Sequence, residues 1–173
     1  NRSLSEITTN KTKYFADSEY LNTWFAKNSL KELLFYLNQI PNYTYQNALK
    51  IILTRSARSA RLVPHFELTR AEKPVYGSYH CHKHNRVCFP IDNAIKFITR
   101  YSLDTVKRIH EFSKLKTQKK AFVLHGDSKT MDIKKAMNAQ LNENFDKEIT
   151  GIFTSPPYVG LIDYHDQHRY AYE

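Results

Sequence analysis

The chain has 173 residues and carries 26 Lys and Arg against 17 Asp and Glu, a formal net charge of +9. That length suits one domain with a real core. No run of eighteen apolar residues supports a membrane span, no apolar signal region opens the chain, and two cysteines suggest a reducing, cytoplasmic setting rather than a disulfide framework. The charge is uneven: residues 1–120 hold 21 Lys and Arg against 9 Asp and Glu, whereas residues 121–173 hold 5 against 8. A basic front region joined to a mildly acidic one fits a protein that grips a polyanion with one part and does chemistry with the other. A solubilising surface charge is the plainer reading.

In chain order, residues 1–28 read as irregular, with Tyr14, Phe15, Tyr20, Trp24 and Phe25 as packing anchors. Ser29 and Glu32 then form a capping-box signature ahead of Leu30, Leu33, Leu34 and Leu37 at helical spacing, and Pro41 ends that helix. A second helix is expected from Tyr45 to about Leu62, burying Ala48, Leu49, Ile52 and Leu53. Its far end carries Arg55, Arg58 and Arg61 three residues apart, which brings the guanidiniums near one face. Phosphate contact and a solvated helix end are both compatible with that spacing.

Between residues 64 and 90, Pro64, Pro74, Gly77 and Pro90 break the helical pattern, and a β-ribbon or extended loop is expected. Within it, Cys81, His84 and Cys88 are residue types that zinc accepts. No Cys-x-x-Cys pair or second ligand cluster accompanies them, so no metal is assigned. The alternation fits a strand equally well, and Lys83 and Arg86 on it could meet a DNA groove. Two further helices are expected, Ile91–Tyr101 capped by Asp92 and Leu103–Leu115 capped by Ser102. Ala94, Ile95 and Ile98 mark one buried face, and Leu103, Val106, Ile109 and Phe112 mark the other.

From residue 121 the pattern changes. Ala121 to His125 is an apolar run ending in Gly126, Asp127 and Ser128, and after a helical stretch Gly151, Ile152 and Phe153 lead into Thr154-Ser155-Pro156-Pro157-Tyr158. Two strand-like segments, each ending in a polar loop and separated by a helix, make a βαβ pattern and a parallel sheet. Paired prolines have no N–H to donate and stop the second strand in a stiff loop. Open α/β sheets hold their ligands at such carboxyl ends.

Residues 121–158 resemble the S-adenosylmethionine-dependent amino-methyltransferases of DNA, whose catalytic loop reads Ser, Asp or Asn, then Pro-Pro, then Tyr, Phe or Trp. The resemblance implies an α/β fold in which a partial Rossmann-like methyltransferase sheet (residues 121–173) follows a mainly helical basic region with a β-ribbon, a DNA-recognition part (residues 1–120). It implies methyl transfer from S-adenosyl-L-methionine to the exocyclic amine of cytosine (N4) or adenine (N6) in DNA, in a restriction-modification system with a cognate restriction endonuclease encoded nearby. Ser155 leans towards cytosine N4, though both bases occur with either residue. Gly126, Asp127 and Ser128 would bind the cofactor, Asp127 through its adenine amino group.

The chemistry of an aryl amine gives the loop its roles. The nitrogen lone pair is delocalised into the ring and is a weak nucleophile. Two acceptors, Ser155 Oγ and the Pro156 carbonyl, would take hydrogen bonds from the amine and aim its lone pair, while Tyr158 stacks on a base extruded from the duplex. Carbon-5 methylation needs a cysteine nucleophile in a Pro-Cys context that this chain lacks. The chain has four glycines, at 77, 126, 151 and 160, and no Gly-rich strand-to-helix loop of the kind on which the family's cofactor site is built. It therefore reads as part of a larger enzyme, with that loop before Asn1 or, in permuted order, after Glu173. Two other functions remain open: a DNA-binding specificity module without activity, and an amino-methyltransferase of RNA or protein.

Overall fold

A computed structural model describes residues 18–68, 71–118, 121–141, 148–155 and 163–173. Helix α1 (Glu19–Trp24) begins at Ser18, whose extended backbone lets its hydroxyl accept from the Leu21 N–H at 3.2 Å. The irregular reading of residues 1–28 is thus corrected at 19–24, where Tyr20 and Leu21 are buried on one turn. Tyr14 and Phe15 lie outside the described residues. Phe25 leaves α1 in extended conformation and bridges Arg61, so α2 (Lys27–Gln39) starts at Lys27, after Ala26.

That early start undoes the expected capping box. Ser29 and Glu32 lie inside α2 and are buried. Glu32 instead reaches across the fold, where one carboxylate oxygen accepts from the Ala94 N–H at 2.6 Å and the Ile95 N–H at 3.1 Å. The other oxygen accepts from Asn28 Nδ2 at 3.0 Å. Pro41 falls in a 3-10 turn (Ile40–Asn42) that ends α2 as expected, and α3 (Gln46–Ala60) follows.

After the hairpin described below, α4 (Ile95–Leu115) runs as one helix of 21 residues where two were expected. Neither Gly nor Pro interrupts it, and it is tied to α3 across the expected break. Tyr101 shares a 2.7 Å hydroxyl contact with Ser59, and Arg55 pairs with Asp104 at 2.6 Å. Asp92 is not its cap; Ala94 holds that position and Glu32 covers its first N–H groups. The core lies where α1, α2, α3 and the start of α4 meet, with Phe25, Leu30, Leu33, Ala60, Ile91 and Ala94 among its buried members. The second expected face of α4 is corrected: Leu103, Val106, Ile109 and Phe112 are between 55% and 69% exposed.

Strands β1 (Tyr79–Cys81) and β2 (Arg86–Cys88) form an antiparallel hairpin, with Tyr79 opposite Cys88 and Cys81 opposite Arg86. Asn85 takes a left-handed conformation (φ 46°), which Asn tolerates better than most residues, and closes the turn. The described residues therefore make a mixed fold of helices and one small two-stranded sheet.

The parallel sheet expected over residues 121–173 is not built among the described residues. The order apolar segment, helix, apolar segment is present, with α5 (Ile133–Leu141) in the middle, but 121–125 and 151–153 carry no ladder. Val123 is 86% exposed and Phe153 is 100% exposed. A strand of a parallel sheet takes its ladder hydrogen bonds from neighbouring strands, and among the described residues neither run has such a ladder, although Phe122 and Leu124 are half-buried. Gln140 Nε2, donating to the Val123 carbonyl at 3.2 Å, ties α5 back to the first run.

The C-terminal segment closes on the helical body. Helix α6 (Tyr164–Gln167) is capped by Asp163, and the 3-10 turn Arg169–Ala171 packs against α3. Tyr170 lies under the Arg61 guanidinium at 4.8 Å, and Arg169 covers the Tyr20 ring at 4.6 Å. No described helix is long and apolar enough to cross a membrane.

Candidate functional site

Three groups of residues carry the chemistry read from the sequence, and the structure treats them differently. Gly126, Asp127 and Ser128 form an exposed turn. The Asp127 carbonyl accepts from the Thr130 and Met131 N–H groups at 3.1 and 2.9 Å, and its Oδ1 accepts from the Lys129 N–H at 2.9 Å. That self-bonding is the ordinary habit of Asp in turns. Gly126 is a close approach, because a Cβ there would lie 2.2 Å from the end of the Met131 side chain. Only the flexible thioether would have to move.

Thr154 and Ser155 are exposed and belong to no helix or strand. Pro156, Pro157 and Tyr158 lie outside the described residues, so the geometry of the acceptor pair and the stacking ring is not drawn from them.

The arginine triplet does not present a common outward face. Arg55 lies over the Tyr101 ring at 4.4 Å, pairs with Asp104 and donates to Thr105 Oγ1 at 3.4 Å. Arg61 is 4% exposed, donates to the Arg58 carbonyl at 3.3 Å and to the Leu68 carbonyl, and packs on Tyr170. Helical spacing by itself could not show this, because Arg61 follows the last turn of α3 and its backbone is extended. Arg58 is the exposed member. Lys83 and Arg86 are both exposed on the hairpin, as a groove-facing role requires.

The hairpin also gathers a group that the sequence showed only in part. Cys81 and Cys88 are buried, free thiols, and His84 Nδ1 sits 3.5 Å from each sulfur. His65, sixteen residues before Cys81, completes the set with its Nδ1 4.0 Å from Cys81 Sγ. The four ligand atoms all lie within 4.8 Å of one another. His65 leaves the end of α3 through Leu62 to Pro64, and its N–H donates to the Tyr79 hydroxyl at 3.1 Å. Leu62 is itself bonded on both sides, its N–H to the Trp24 carbonyl at 2.7 Å and its carbonyl from the Val75 N–H at 2.8 Å. Burial first, then His84 and the cations Lys96, Lys83 and Arg86, hold the His65 imidazole below its usual pKa. Burial raises that of the Tyr79 phenol, against the hydrogen bond from His65. Sequence reading missed His65 because it stands alone, far from the Cys-x-x-His pair; the signal that could have found it is that pair just after an otherwise unexplained Pro-His.

No family model and no solved structure matches the chain. A Type II methyltransferase, M.MjaII, of Methanocaldococcus jannaschii is 41% identical to it over 165 residues, which are 92% of this chain and 31% of that protein. The chain thus spans about a third of the length of the curated relative it matches, and what it is similar to along nearly all of its own length is a Type II methyltransferase.

Proposed function

We propose that this chain is part of an S-adenosylmethionine-dependent DNA amino-methyltransferase that acts on cytosine N4 or adenine N6. The observation that carries the reading is the similarity to M.MjaII over 92% of the chain, joined to the Ser155-Pro156-Pro157-Tyr158 loop within it. The name of that relative, a Type II methyltransferase, supports a restriction-modification setting with a cognate endonuclease. When bound, the cofactor supplies an electrophilic methyl group. Asp127 fits it as an exposed carboxylate acceptor for an amine, and Gly126 and Ser128 as the turn that presents that carboxylate.

The work of the chain is positional. Ser155 Oγ and the Pro156 carbonyl accept the two N–H groups of the target amine and so localise its lone pair. Pro157 keeps that loop stiff, and Tyr158 stacks on the extruded base. Nothing in this scheme requires a covalent bond to the protein; alignment and electrostatics lower the barrier. Exposed Lys83, Arg86 and Arg58 serve the phosphate backbone, while Arg55 is paired with Asp104 and Arg61 donates to the Arg58 carbonyl.

The test is single-turnover methylation of duplex DNA by the longest protein that carries these residues. Ser155→Ala should lower the rate by ~100–1,000-fold, the ~2.7–4 kcal/mol typical of one polar group at a reacting centre, with cofactor and DNA binding kept. Tyr158→Ala should instead weaken capture of the extruded base, since base-aromatic stacking is worth ~1–3 kcal/mol. Fluorescence of 2-aminopurine at the target reads that step. An unchanged single-turnover rate in Ser155→Ala would make the loop structural and remove the acceptor role.

A further inference from the structure

We propose that His65, Cys81, His84 and Cys88 form a structural zinc site that fastens the β1–β2 hairpin to the end of α3. It is independent of methyl transfer, because none of the four residues takes part in that chemistry. Four soft or borderline ligands, two thiols and two imidazoles, are the donor set of tetrahedral zinc. Zinc held at about 2.3 Å from sulfur and about 2.0–2.1 Å from nitrogen puts tetrahedral sulfur–nitrogen edges at about 3.6 Å. The Cys81–His84 and Cys88–His84 edges are both 3.5 Å, and the Cys81–His65 edge is 4.0 Å. Every remaining edge is within 4.8 Å, so small side-chain rotations close the set.

The local structure explains why these four meet. The antiparallel register puts Cys88 opposite Tyr79 and Cys81 opposite Arg86, so period-two alternation turns both cysteines to one face as diagonal neighbours. The His84 N–H donates to the Cys81 carbonyl at 3.2 Å, which folds the turn so that His84 comes back over that face. The Tyr79 hydroxyl bonded to the His65 N–H brings the fourth ligand up against it.

Neither bland reading accounts for this arrangement. A core cysteine pair would be surrounded by apolar side chains, yet each sulfur here faces an imidazole nitrogen. A disulfide would draw the sulfurs together rather than leave both spaced evenly about His84. Bound to the ion as thiolates, Cys81 and Cys88 would supply two negative charges to balance it. All four positions are filled by protein, which makes the site structural rather than catalytic.

The site does what a three-residue hairpin cannot do for itself. An isolated two-stranded hairpin is marginal in water. With one ion joining it to His65, the tip that carries Lys83 and Arg86 becomes rigid with respect to α3.

The experiment uses the chain purified in reducing buffer without chelator. Metal analysis should find about one zinc per chain. Exchange with cobalt should give the visible bands of tetrahedral cobalt with thiolate ligands. Cys81→Ser and Cys88→Ser should abolish both signals, and His82→Ala, one position outside the set, should keep them. His65→Ala should weaken zinc by at least about 100-fold in competition with a chromophoric chelator, since even the outer partners of ligands are worth roughly 10–100-fold. Should a cysteine variant fail to fold, the cobalt spectrum of the unaltered chain still decides. Well under one zinc per unaltered chain, undiminished zinc in Cys81→Ser or His65→Ala, or a Cys81–Cys88 disulfide in peptide mapping would each overturn the proposal.

Discussion

Glu32 shows how much one side chain can carry. Helix α4 starts at Ile95 with no side-chain cap on its own N-cap residue, and Ala94 is fully buried, so water cannot serve those N–H groups. The Glu32 carboxylate serves two of them from another helix and brings negative charge to the positive end of α4. Glu32→Ala should therefore destabilise the chain by about 1–3 kcal/mol, the cost of orphaning a buried donor. Glu32→Gln, which keeps an acceptor oxygen, should recover part of that loss. Urea unfolding measures both, and a Glu32→Ala midpoint equal to that of the unaltered chain would mean that α4 is capped by something else.

At the scale of elements, the α3–α4 pair is the frame, and Asp104 is its polar fastening. Hydrogen bonds from Arg55 and then Arg108 hold the Asp104 carboxyl below its usual range. A depressed folded pKa means that the folded state binds this proton less readily than the unfolded state. The stabilisation is therefore complete above the usual Asp value of 3.8 and is lost as pH falls through the lower folded value. Thermal unfolding of Asp104→Asn should trail the unaltered chain by a constant interval near neutral pH, and that interval should shrink in acid. An interval that stays constant or grows in acid would show that Asp104 is not paired in solution. Among the described residues no such fastening holds the far half of α4, and its Leu103, Val106, Ile109 and Phe112 stand exposed.

At the scale of the whole molecule, charge and geometry divide the labour. The 21 Lys and Arg of residues 1–120 include several that the fold uses internally, Arg55 and Arg61 among them. If the chain grips DNA as proposed, its affinity should depend on the exposed set. Joint charge reversal of Arg58, Lys83 and Arg86 should weaken binding to all duplex sequences and lower the salt slope by roughly one unit per lost phosphate contact. Reversal of Arg61 should instead act through unfolding. Fluorescence anisotropy over a salt series reads the slope, and an unchanged slope in the triple variant would put the DNA surface elsewhere.

What the sequence by itself determined here is local and periodic. The α2 and α3 helices, the stop at Pro41, a ribbon or extended loop somewhere in residues 64–90 and the helix between two apolar runs all follow from spacing, proline and alternation. The loop proposed for methyl transfer stands out in the sequence because paired prolines between Ser155 and Tyr158 form a short contiguous motif. Only the tertiary structure decided the rest, because each remaining case turns on a partner distant in sequence. Glu32 looks like a local capping residue until Ala94 is packed against it, 62 residues away. Helix α4 looks like two until α3 grips it across Tyr101 and Asp104. Three zinc-type residues in one hairpin are ambiguous until the exit from α3 delivers His65 to the same point. Burial and metal geometry are properties of neighbours in space, and a one-dimensional pattern reports them only when those neighbours are also near in the chain.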